Sequence, residues 1–90
     1  MENLFTPSAR QVLFIAQKQA KDFRHQAIGT EHLLLALAIE KNGIAGKVLK
    51  QFVITETDVR EEIERLTGYG DLKKTKAYLP YTPRAKEILS

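Results

Sequence analysis

The chain has 90 residues, 43% of them apolar, with three prolines, five glycines and no cysteine, the composition of an ordinary globular domain and not of a disordered, fibrous or disulfide-stapled chain. A chain of this length buries only about 60–65% of its unfolded surface, enough for one core and too little for a two-domain enzyme. The net charge of +3 alternates along the chain, with seven Lys/Arg against four Asp/Glu in residues 1–54, two against five in 55–68 and five against two in 69–90, so nucleic acid is a permitted partner and not a demanded one.

Met1-Glu2-Asn3 lacks the basic-then-apolar pattern of a signal peptide, and absent thiol chemistry fits a reducing compartment. Ala9, Val12, Leu13, Ala16, Ala20 and Phe23 recur at the spacing of a helix with one buried face. Thr6 can cap that helix and Pro7 suits its first position, where no N–H partner is needed. A break follows from Arg24 to Gly29. Thr30 is placed to cap a second helix, running from Glu31 to about Glu40, whose Leu33, Leu34, Leu35, Leu37 and Ile39 cover most of its circumference, which predicts the centre of the core. The apolar run from Leu33 to Ile39 is the longest in the chain and far too short to span a bilayer. The expected setting is therefore soluble and cytoplasmic, with no membrane.

Asn42-Gly43 reads as the stop of the second helix. A short third helix is expected from Ile44 to Gln51, with Ile44, Val48 and Leu49 on one side; Gly46 inside it costs about 1 kcal/mol relative to alanine. Thr55 and Asp58 have the spacing of a capping box for a fourth helix. Val59, Ile63 and Leu66 form its predicted buried stripe, acidic residues crowd its first turn, and Gly68 closes it. From Tyr69 to Pro80 no helical period survives, and Gly70, Lys73-Lys74-Thr75-Lys76 and Pro80 predict an exposed linker.

Thr82-Pro83 then opens a helix a second time. The ten residues Phe5 to Phe14 align without gaps on Tyr81 to Ser90, with four identities and four further positions of the same chemical type. This internal repeat divides the chain into a four-helix unit at 1–68, a linker at 69–80 and, at 81–90, the first helix of a second unit that stops in mid-element. Ala85, Ile88 and Leu89 of the trailing helix must then lie on the first unit or find another molecule, so the isolated chain is expected to pair through this helix.

No pattern in the chain marks an enzyme. Gly43-Ile44-Ala45-Gly46-Lys47-Val48 has two residues between its glycines where a phosphate-binding loop needs four, and a valine where that loop needs Ser or Thr. His25, Glu31 and His32 do not have metal-ligand spacing, and a solvent-facing or capping role suits both histidines better. Ser8 and Ser90 lack the surroundings of an activated nucleophile. The competing function class is a small basic helical nucleic-acid-binding domain, for which the lysine cluster and the GxxG outline at 43–46 speak. The acidic fourth helix and the missing strands speak against it. Glu31, in the first turn of the second helix, reads from position alone as a carboxylate satisfying free N–H groups and the helix dipole.

Phe5-Thr6-Pro7 with Ala9, the segment Ile28-Gly29-Thr30-Glu31-His32-Leu33-Leu34-Leu35-Ala36-Leu37, Gly43-Ile44-Ala45, and the restart at Tyr81-Thr82-Pro83-Arg84-Ala85 resemble the amino-terminal repeat domain of Clp-family AAA+ unfoldases, most closely the ClpC type. The resemblance covers nearly the whole chain. It implies an all-α fold and a non-catalytic module that recruits adaptor proteins and substrates to a hexameric motor associated with a Clp peptidase. ATP and Mg then belong to modules outside this chain, which would carry no cofactor of its own. The resemblance also implies a site for phosphorylated arginine, a degradation mark, with Glu31 on the guanidinium and the helix start at Thr6 receiving the phosphate. Gly46 departs from the alanine expected there, and the second repeat has only its first helix.

Overall fold

A computed structural model describes residues 6–40, 47, 48, 51, 52, 54–71 and 77–90. Four helices run through them: α1 Pro7–Asp22, α2 Thr30–Ile39, α3 Glu56–Leu66 and α4 Pro83–Leu89. Among the described residues there is no β-strand, and one isolated parallel bridge joins Ile28 to Tyr81. The class is all-α, as the spacing predicts. Most of the expected third helix, with Gly46 and the Asn42-Gly43 stop, lies outside the described residues, although Lys47, Val48 and Gln51 have helical backbone.

α1 starts at an extended Thr6 whose Oγ1 accepts the Ala9 N–H at 3.1 Å, with Pro7 in the first turn. Its buried face is Leu13, Ala16 and Ala20, and the two alanines, fully covered, let the neighbouring backbone approach closely. The helix hands over through Phe23 to Arg24, which sits in the left-handed region at φ 59.

The start of α2 differs by one residue from the expectation. Gly29 takes the extended cap position and Thr30 is the first helical residue. The reason is tertiary: Ile28 is held extended, its N–H donating to Pro80 O at 2.8 Å and its carbonyl accepting from Thr82 N–H at 2.9 Å, so the turn into helix begins at Gly29. The Gly29 N–H is then accepted by the ring of His32, Nδ1 at 2.9 Å, a buried imidazole in the place of a capping-box glutamate.

α2 packs on α1, α3 and α4. Leu33 and Ala36 join a core with Leu13, Ala16, Ala20, Ile28, Leu79 and Ala85, while Leu35 joins a second with Phe23, Val59 and Ile63. An apolar helix with no polar face is the physical requirement for an element buried on two sides.

α3 is capped as read: Asp58 N–H donates to Thr55 Oγ1 and Thr55 N–H to Asp58 Oδ2, both at 3.1 Å. Gly68, at φ 64, closes it with its N–H on Ile63 O and Glu64 O. Val59 and Ile63 are buried, but Leu66 is 66% exposed, a correction to the predicted stripe. Opposite its last turn stand Thr30 and Glu31 at the polar start of α2, across an open groove.

The described residues of the segment after α3 are mostly exposed, with Leu79 buried and Gly70 partly covered, and backbone and side-chain bonds pin the segment to the rest of the chain. Gly70 N–H donates to Phe23 O at 2.8 Å and Arg24 Nε to Gly70 O at 2.9 Å. Further on, Lys21 Nζ donates to Ala77 O, and Leu79, fully buried, donates its N–H to Gln17 Oε1 at 3.1 Å. Residues 72–76, which hold the lysine cluster, lie outside the described set. α4 then opens as α1 does: Thr82 is extended and its Oγ1 accepts from Ala85 N–H at 3.2 Å. Ala85 is fully buried and Leu89 packs on the first core, whereas Ile88 is 60% exposed.

Candidate functional site

A groove lies between the start of α2 and the length of α3. It encloses about 500 Å³ and is lined by Thr30, Glu31, Leu34, Ile54, Asp58, Val59, Glu62, Ile63, Leu66 and Thr67. Its floor is aliphatic and its rim carries three carboxylates. Two of these are engaged locally: Asp58 in its capping box, and Glu62 with Arg65, whose guanidinium holds the Glu62 carboxyl below the usual range. Glu31 has no ion-pair or hydrogen-bond partner among the described residues. Its carboxylate folds back over Gly29, so close that a Cβ there would lie 2.0 Å from Oε1. Glycine at position 29 therefore gives this carboxylate its place.

Thr6 and Glu31 are not brought together. α1 and α2 run in opposite directions: Ala9 and Val12 in the first turns of α1 lie near Leu37 at the end of α2, and Phe23, just past the end of α1, lies near the His32 ring at the start of α2. Thr6 stands at the far end of this pair from Glu31, its hydroxyl engaged with Ala9 N–H. The helix start that lies next to the turn at 28–31 is Thr82, whose N–H bonds Ile28 O. The repeat made Thr82 visible in the sequence; its proximity to Glu31 depends on the Ile28–Tyr81 bridge, which joins residues too distant in the chain for any local signal.

Both histidines depart from the solvent-facing half of the expectation, and His32 takes the capping half. His32 is 1% exposed. Its Nε2 lies 2.8 Å from His25 Nδ1, and His25 Nε2 lies 2.8 Å from Gly68 O. Phe23 stacks on His25 and Tyr69 at centroid separations of 5.4 and 5.0 Å, which packs the relay against the end of α3. Among the described residues no group of three or more His, Cys, Asp or Glu could hold a metal ion, and no helix is long and apolar enough to cross a membrane. The GxxG outline at 43–46 lies outside the described residues.

An all-helical unit with an apolar groove edged by carboxylates has the build of a binding module. Residues 4–90 match the Clp repeat (R) N-terminal domain family, and the chain belongs to that family. Over 84 residues it is 50% identical to the ATP-dependent Clp protease ATP-binding subunit ClpC of Staphylococcus saprophyticus, and equally to those of Staphylococcus epidermidis and Staphylococcus aureus strain USA300; each match covers 93% of this chain and 10% of the relative. The chain thus spans about a tenth of the length of the curated relatives it matches.

Proposed function

We propose that this chain is a non-catalytic recruitment module of an ATP-dependent Clp unfoldase, taking up adaptor proteins and substrates marked by phosphoarginine. The observation that carries the reading is Glu31, a carboxylate without a local partner on the rim of an apolar groove. Such a carboxylate accepts two parallel hydrogen bonds from a guanidinium, while the groove floor takes the apolar part of the same segment. A helix start suits the phosphate, and Thr6 is the candidate for it. Because Thr6 and Glu31 stand at opposite ends of the α1–α2 pair, the two are tested separately. The unit at 1–68, the connection at 69–80 and the helix at 81–90 are read as one repeat followed by the opening of a second. ATP and Mg act in modules outside this chain, in a hexameric parent that feeds a Clp peptidase in the cytoplasm.

Calorimetric titration with phosphoarginine, with free arginine and inorganic phosphate as controls, tests the reading. Saturable binding specific to phosphoarginine, weakened at least tenfold in Glu31→Ala, is expected; equal affinity in the variant overturns the assignment of Glu31. Loss in Glu31→Ala with none in Thr6→Ala would place the site wholly at the turn into α2. The exposed Ile88 beside Ala9, Val12, Leu37 and Leu89 is the face through which isolated chains pair, and light scattering over a concentration series is expected to reveal dimer.

A further inference from the structure

The rings of His25 and His32 admit one arrangement of protons. Gly29 N–H can only donate, so His32 Nδ1, 2.9 Å away, is bare. The Gly68 carbonyl can only accept, so His25 Nε2, 2.8 Å away, carries a hydrogen. The remaining 2.8 Å contact is then satisfied only if His32 Nε2–H donates to bare His25 Nδ1. Both rings are neutral in this arrangement. A proton added to His25 Nδ1 sets two N–H groups against each other, and one added to His32 Nδ1 faces the Gly29 N–H. Either event breaks the chain of bonds.

That chain ties three separate parts of the molecule: the turn after α1, the first turn of α2 and the glycine that closes α3. The last two continue into the walls of the groove, Thr30 and Glu31 on one side, Leu66 and Thr67 on the other. We infer that the His25–His32 pair is a proton-operated clasp on this groove, closed while both rings are neutral and released when either takes a proton. The consequence for recruitment rests on the function proposed above; the clasp does not.

The charges around the pair come from every neighbouring element. Glu31 of α2 adjoins His32, Arg24 lies over the Tyr69 ring at 5.3 Å, Arg60 of α3 lies over the Phe23 ring at 5.9 Å, and Glu64 of α3 accepts from the Tyr69 hydroxyl at 2.8 Å. The two guanidinium groups oppose a further positive charge and the two carboxylates favour it. Burial dominates at His32 and holds it below its ordinary 6.5, against the pull of Glu31 and with some help from His25. The unfolded chain therefore takes its proton first as the pH falls, so the stabilisation is fully present above pH 6.5 and is lost as the pH drops towards the folded value.

Nitrogen-15 histidine and amide spectra of the 90-residue chain between pH 8 and 5, with thermal unfolding at each pH, test the clasp on wild type, His25→Gln and His32→Gln. At about pH 7.5 both rings are expected neutral with hydrogen on Nε2. On acidification the amides of Glu31, Leu66, Thr67 and Gly68 move together with the titration of His32, and the unfolding constant rises by at most about tenfold per pH unit, the limit for one proton. His25→Gln is expected to uncouple Gly68 from the remaining histidine. A ring found charged or with hydrogen on Nδ1 near pH 7.5, or amides at Glu31 and Gly68 that stay still while His32 titrates, overturns the inference. If His32→Gln fails to fold, the wild-type tautomers and His25→Gln decide the question. No readout uses phosphoarginine, so failure of ligand binding and failure of the clasp are separate results.

Discussion

Gly70 is fixed by contact and not by chain direction. A Cβ at this position would lie 1.9 Å from Arg24 O, a backbone atom that cannot step aside, because Gly70 and Phe23 are joined by a backbone hydrogen bond. Arg24 itself holds a left-handed backbone that costs a non-glycine residue about 1–2 kcal/mol, offset by its bond to Gly70 O and its place over Tyr69. Gly70→Ala is expected to lower stability by about 2–3 kcal/mol in urea denaturation. Gly29→Ala differs in kind, since the atom it meets is the end of the Glu31 side chain. It is expected to cost only about 0.5–1 kcal/mol and, on the function proposed above, to weaken phosphoarginine binding by displacing the carboxylate, which unfolding and calorimetry read together.

Among the elements, α1 and α4 start with the same cap, an extended threonine accepting an N–H from the third residue on. Loss of that bond typically costs about 1 kcal/mol, yet the two variants should behave differently. α1 has 16 residues and is central to the first core, so Thr6→Ala lowers global stability. α4 has seven, and a helix that short does not persist without its cap and its packing. Thr82→Ala is therefore expected to speed amide exchange at Lys86 to Leu89 well before the global transition moves. α3 was legible in full at its ends, Thr55, Asp58 and Gly68, because capping is a local chemical event within four residues. Leu66 departs from the buried stripe because periodicity tells which face a residue shares and not whether a neighbour is long enough to cover that face.

For the whole molecule, the first core closes only with residues from beyond the acidic helix. Leu79 and Ala85 are fully buried against α1 and α2. Leu79→Ala is expected to destabilise the entire unit by about 2–5 kcal/mol in a single shifted transition; a loss confined to residues 77–90, seen as local exchange with an unchanged midpoint, would contradict this packing. Helix content, the caps at Thr6 and Thr55, the central place of α2 and the repeated Thr-Pro start were written in the sequence, because each depends on spacing within one or two turns. Tertiary structure decided that Gly29 and not Thr30 caps α2, that Leu79 is core, that Thr82 and not Thr6 neighbours the Glu31 turn, and that two histidines form one relay. Each of these depends on partners brought together across 7 to 62 residues of chain, and contact over such distances is fixed by how helices pack, which no local pattern records.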